Sequence, residues 1–182
     1  MRKLVRALVA GACVLGCLSA TSVAAEPADS SRSGAWSLQY GAGSSMHRFT
    51  VNYETAPLWS YPAGGTRISL VGELGVSYWR YDGHPENSHR EAWQLSAIPM
   101  FQWWLTRQFY IEGGIGATVF NTTRFAGKNI STAFQFGDHI GVGFKLNDSV
   151  RLNARYSHFS NAGIKRPNPG LDIFQVGVTV TW

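Results

Sequence analysis

Hydrophobic and polar residues alternate with a period of two along most of the chain, and no stretch carries a convincing helical period. Eight stretches show this strand character: residues 35–43, 47–56, 66–79, 91–104, 108–119, 132–146, 150–160 and 172–182. In the sixth, Phe134, Phe136, Ile140, Val142, Phe144 and Leu146 share one parity, while Gln135, Gly137, His139, Gly141, Gly143 and Lys145 share the other. In the last, Phe174, Val176, Val178, Val180 and Trp182 oppose Gln175, Gly177, Thr179 and Thr181. An apolar face backed by a polar, glycine-rich one is what a lipid-facing wall around a polar lumen requires. The pattern predicts an all-β fold, an eight-stranded antiparallel transmembrane β-barrel.

The connections fall into two kinds. Segments 43–46, 82–90, 121–131 and 161–171 come out on one side, taken as extracellular with both termini periplasmic. The other side has the tight turns 106–107 and 147–149, and the segment 55–65, too long for that side and assigned no element. Glu73, Arg80, Glu112, His139, Lys145, Arg151 and Arg155 are expected in the lumen, pairing across a packed interior too narrow for transport; Lys145, Arg151 and Arg155 share the inward parity of the sixth and seventh strands.

Periodicity alone does not say which face is inside. A soluble lipocalin-like barrel would bury the apolar parity. The start of the chain argues against it. Arg2, Lys3 and Arg6, an apolar run from Ala7 to Leu18 and the small residues Val23-Ala24-Ala25 form a secretory leader, expected over 1–25, with the barrel over 26–182. Val14-Leu15-Gly16-Cys17 is a poorer, lipoprotein-like alternative. Seven Trp, seven Tyr and ten Phe suit the interfacial girdles of outer-membrane barrels, and a terminal Trp182 on an alternating strand resembles their assembly signal.

The leader also changes the charge picture. It supplies three of the formal net charge of +5, leaving about +2, which gives no ground for a nucleic-acid partner. Both cysteines, Cys13 and Cys17, lie within it, so the remainder has no thiol nucleophile or cysteine-based metal site. His84, Glu86 and His89 have no strong metal-ligand spacing and read as a solvated loop.

The candidate chemistry lies at the end of the seventh strand. His158 and Ser160 are two apart, on the apolar parity of Leu152, Ala154 and Tyr156, opposite Arg151, Asn153, Arg155 and Ser157. Asp172 opens the next strand on the same outward parity. A hydroxyl, a base and an orienting acid would thus meet on the lipid side near the extracellular rim, where a charge costs less than at the midplane. Asn161, Asn168 and the backbone N–H of Gly163 are candidate oxyanion donors or supports. Lys165 and Arg166 are candidates for lipid phosphates. Register from the 147–149 turn brings Phe136 opposite Ser160, where it packs against an acyl chain or against His158, or serves as an ordinary girdle aromatic.

The run His158-Phe159-Ser160-Asn161-Ala162-Gly163, followed by Lys165, Pro167-Asn168, Gly170 and an acid at 172, resembles the signature of the PagL family. The resemblance implies an outer-membrane lipid A 3-O-deacylase, with lipid A or lipopolysaccharide as substrate in the outer leaflet. It implies His158 as base, Ser160 as nucleophile, Asn168 in the oxyanion hole and Asn161 beside it. Asp172 falls where the family pattern has Glu, one methylene longer. The scheme needs no metal or organic cofactor. A non-enzymatic anchor or adhesin barrel and a phospholipid esterase are the rival readings, and a homodimer is compatible with the lipid-facing wall.

Overall fold

The computed structural model describes residues 34–182, so the expected leader, 1–25, lies outside the described residues. The strands are β1 (Ala35–Gly43), β2 (Met46–Glu54), β3 (Trp59–Ala63), β4 (Thr66–Tyr81), β5 (Glu91–Trp104), β6 (Phe109–Phe120), β7 (Arg124–Phe125), β8 (Lys128–Asn129), β9 (Phe134–Lys145), β10 (Val150–Ser160) and β11 (Leu171–Thr181). Eight of them close a barrel in the order β1-β2-β4-β5-β6-β9-β10-β11 and back to β1, every neighbour antiparallel. The expected eight strands map onto these within a few residues.

Orientation is settled by which parity is buried. Leu38, Leu95 and Ile140 stand outward at 60, 60 and 63 % exposure, whereas Gln94, Gln135 and Gln175 are 1 % exposed inside. A soluble core reverses this assignment; a wall in contact with lipid produces it.

Two segments differ from expectation. The unassigned stretch 55–65 contains one arm of a hairpin: β3 pairs with the start of β4, from Ala63↔Thr66 to Trp59↔Leu70. Its turn is Gly64-Gly65, with φ of 55° and 85°, the two left-handed positions that a tight two-residue hairpin demands. β4 outruns β2, which ends opposite Glu73, and β3 pairs the edge left over. Loop 121–131 contains a second small hairpin, β7–β8, turning at Ala126-Gly127.

The lumen is filled in two layers. At mid-height Arg155 pairs with Glu73 (2.7 and 2.8 Å) and Glu112 (2.9 Å), and Arg151 with Glu54 (2.6 Å). His139 Nδ1 meets Ser157 Oγ at 2.7 Å. The inward glycines of β9 make room; the Tyr110 ring occupies the space a Cβ at Gly143 would need. Two expected lumen residues lie elsewhere. Arg80 is exposed, because its even position on β4 has the parity opposite to Glu73. Lys145, at the periplasmic rim, pairs with the exposed Asp148 at 2.6 Å.

Above the ionic layer aromatic and aliphatic side chains dominate, with Arg48 and Gln94 packed among them. Met46, Trp79, Ala92, Phe120, Phe125, Ile130, Phe159, Leu171 and Ile173 form a buried cluster at the extracellular end. This plug is the floor on which the loops of that end rest.

Candidate active site

β10 carries the site because its last residues alternate between two firm environments. Phe159 points inward and is fully buried, edge-on to Trp79 (5.5 Å) and Phe120 (6.2 Å), with the Arg48 guanidinium 5.0 Å above its ring. An aromatic ring locked on both sides fixes the backbone at 159, and the period of two then turns His158 and Ser160 outward.

Neighbouring strands present an aspartate to each side of His158: Asp172 on β11 and Asp138 on β9 are both its Cα partners. Only Asp172 is bonded to it. His158 Nδ1 donates to Asp172 Oδ1 at 2.7 Å, which places the lone pair of the neutral ring on Nε2. Both side chains are part-exposed, at 37 and 46 %, as a rim position allows. The shorter acid therefore reaches the imidazole without a methylene to spare. The same oxygen accepts from the Tyr156 hydroxyl at 2.6 Å. Ser160 is half-buried on the same face, its Oγ accepting from Ala162 N–H at 3.4 Å. No hydrogen bond joins Ser160 Oγ to His158; such contacts commonly close only when substrate is bound.

Loop 161–170 is folded around Asn161. Its Oδ1 accepts from Gly163 N–H at 3.0 Å, and its Nδ2 donates to the carbonyls of Lys165 (2.9 Å) and Ile130 (3.1 Å). Asn161 is fully buried, so it supports the loop and does not present its amide to the outer face. The Gly163 N–H is turned into the loop by the same bond to Asn161 Oδ1. The burial of Asn161 continues the inward series of 157 and 159 one step past the end of β10. Asn168 remains. Its Oδ1 accepts from Asn161 N–H at 3.1 Å, which leaves the Nδ2 end as the donor.

The preceding loop clamps this one. Lys128 Nζ donates to Gly170 O at 2.9 Å, and Ser131 Oγ to Pro167 O at 2.6 Å. Gly170, at φ 66°, comes so close to the imidazole that a Cβ there would lie 2.6 Å from His158 Cε1. Lys165 and Arg166 are exposed on the same loop, at the rim. Phe136 is the Cα partner of Ser160 on β9, as its register implies, and its ring meets Phe134 edge-on at 5.0 Å.

Sequence reasoning thus placed His158, Ser160, Asp172 and Phe136 together. It missed Tyr156, read only as part of the apolar face, and Asp138 and Lys128. The outward parity of Tyr156 and Asp138 was visible; their neighbours across the sheet depend on register, and Lys128 on the loop fold.

An imidazole held through one nitrogen by a carboxylate, beside a serine on a surface that meets lipid, is suited to acyl transfer from a membrane substrate. The comparisons agree with that geometry. A model of the family Lipid A 3-O-deacylase (PagL) matches residues 39–181. The lipid A deacylase PagL of Bordetella bronchiseptica is 60% identical over 148 residues, covering 80% of this chain and 82% of that protein. That of Pseudomonas aeruginosa is 30% identical over 167 residues, covering 90% and 92%. The crystal structure of the outer membrane enzyme PagL superposes with a TM-score of 0.71 at 26% identity, over 80% of this chain and 98% of that one. The Yersinia pestis outer membrane protein Ail shares the fold alone, with a TM-score of 0.52 at 10% identity over 83% and 99%. Matched along nearly all of its strands, the chain belongs to the PagL family of outer-membrane lipid A 3-O-deacylases.

Proposed function

We propose that this chain hydrolyses the acyl ester at position 3 of lipid A with Ser160 as nucleophile, His158 as general base and Asp172 as the orienting acid. The observation that carries the assignment is the 2.7 Å bond between His158 Nδ1 and Asp172 Oδ1, with Ser160 two residues further along the same outward face.

In this scheme Ser160 Oγ attacks the ester carbonyl carbon while its proton passes to His158 Nε2. The charge that forms on the imidazole is matched by Asp172 across Nδ1–H. Collapse of the tetrahedral intermediate breaks the C–O bond to the sugar, and the imidazolium returns the proton to the leaving sugar oxygen. Water, deprotonated by His158, then attacks the acyl-enzyme; the bond to Ser160 Oγ breaks, the imidazolium returns its proton to that oxygen, and the fatty acid leaves. The oxyanion is met by Asn168 Nδ2 and by Ala162 N–H, a backbone donor already 3.4 Å from Ser160 Oγ.

Location fits the substrate. The site is at the end that bears the longer loops, so it faces the outer leaflet. Phe136 beside Ser160 offers an apolar surface to the acyl chain, and the exposed Lys165 and Arg166 on the adjoining loop are available to the phosphates.

Purified barrel incubated with lipid A in detergent micelles is expected to release a free 3-hydroxy fatty acid and to leave phospholipid in the same micelles intact. Lysophospholipid as the main product would overturn the substrate assignment.

A further inference from the structure

Asp172 Oδ1 receives two hydrogen bonds, from His158 Nδ1 at 2.7 Å and from the Tyr156 hydroxyl at 2.6 Å. Both donors come from β10, two residues apart, and the acceptor is on β11 opposite the second of them. Tyr156 stands opposite Phe174 on β11 and Ile140 on β9, and the residue is 47% exposed on the lipid-facing wall. A phenol on such a wall has few polar groups within reach, and this one is turned along the sheet onto the carboxylate.

The consequence is mechanical. An aspartate at a half-exposed rim position can rotate about two side-chain bonds, and one hydrogen bond to the imidazole leaves it a swinging partner. A second donor on the same oxygen, approaching from one residue pair lower on the barrel, restricts that rotation and presents Oδ1 to Nδ1–H. It also supplies a hydrogen bond to a charge that lies where water is giving way to lipid.

We propose that Tyr156 is a positioning residue for the deacylation, acting through Asp172 to hold His158 in the orientation and tautomer that the attack on the ester needs; this rests on the triad reading above. Tyr156 touches neither the substrate nor the reacting atoms. Its proton stays on the phenol throughout, so no step in the chemistry is altered.

The test uses the whole barrel with lipid A in detergent micelles, folding being verified by heat-modifiable gel mobility. Tyr156→Phe keeps the ring and removes the hydroxyl. It is expected to lower kcat about tenfold, the order of one charge-assisted hydrogen bond, with KM unchanged within about twofold. Tyr156→Trp, a girdle aromatic without the phenol, is expected to show the same loss. In an Asp172→Ala background, Tyr156→Phe is expected to cost nothing further, because the group it acts through has gone.

Unchanged kcat in Tyr156→Phe would overturn the proposal. So would a rise in KM with kcat intact, which would make Tyr156 a substrate contact, or an equal loss in the Asp172→Ala background. The triad reading fails separately: if Ser160→Ala or Asp172→Ala retains the wild-type kcat, it is that reading which falls. Inactive Ser160→Ala beside fully active Tyr156→Phe removes only the role of Tyr156.

Discussion

Adding one methyl group at Gly170 should disable the site while leaving the barrel standing. The Cβ of Gly170→Ala would lie 2.6 Å from His158 Cε1, where unstrained contacts begin near 3.4 Å, so the imidazole must retreat by about 0.8 Å. The Gly170 backbone has little room to yield in its place, because its carbonyl is held by Lys128 Nζ at 2.9 Å. With Asp172 on one side of the ring and Ser160 on the other, a displacement of that size cannot preserve both alignments. Misplacement by roughly 1 Å costs on the order of 100-fold in rate, and we expect kcat to fall by about that factor.

Strain is a separate and smaller matter. Alanine at a φ of 66° costs about 1–2 kcal/mol, which a closed barrel tolerates. Gly64→Ala isolates that component: φ is 55°, nothing lies within 4 Å of the new Cβ, and the position is in the hairpin at the opposite end of β4. The assay is kcat on lipid A in micelles for both variants, with urea unfolding followed by tryptophan fluorescence. Similar destabilisation in both, with activity lost only in Gly170→Ala, is the expected result. Gly170→Ala retaining activity within about threefold of Gly64→Ala would refute the claim that a closely held imidazole carries the reaction.

Other expectations follow from the lumen and the loop. Arg155→Met strips the partner from Glu73 and Glu112 in the buried layer and should destabilise the barrel by about 3–5 kcal/mol, read as a lower urea midpoint. Adding Glu73→Leu and Glu112→Leu to Arg155→Met should recover most of that loss, since the cost lies in the uncompensated charges. Asn168→Ala removes the proposed side-chain oxyanion donor and should lower kcat by roughly 100- to 1000-fold with little change in KM; a change in KM alone would place Asn168 in substrate binding.

The sequence was most informative where one periodicity acted alone. Long strands that alternate over ten or more residues could be read within a few positions, because a one-residue slip would turn a whole apolar face inward. The short strands escaped. Pro62 and the brevity of β3 hid its pairing to β4, and two-residue β7 and β8 carry no period at all. His158, Ser160 and Asp172 were legible because parity and a short loop suffice to bring them together.

Asn161 shows the limit of residue type as a guide. An asparagine beside a nucleophile suggested an oxyanion donor, yet its inward parity commits it to the loop interior. Tyr156 shows the converse. Its outward parity was plain, but its partner is diagonal across β10 and β11, and only the three-dimensional register reveals it. The polar lumen was anticipated at mid-height, whereas the aromatic plug was not. Phe159 shares the inward parity of Ser157 and Arg155, and what surrounds it comes from strands and loops far away in the chain. Glu54 as the partner of Arg151 belongs to the same class, 97 residues distant.

The central claim is that Ser160 opens the 3-O-linked ester of lipid A, and mass spectrometry of lipid A from a Gram-negative host tests it most directly. Expression of the wild type should remove the mass of one 3-hydroxyacyl group, while Ser160→Ala, inserted and folded to the same level, should leave lipid A unaltered. Deacylated lipid A from both would contradict the assignment of the nucleophile, and intact lipid A from both would contradict the activity itself.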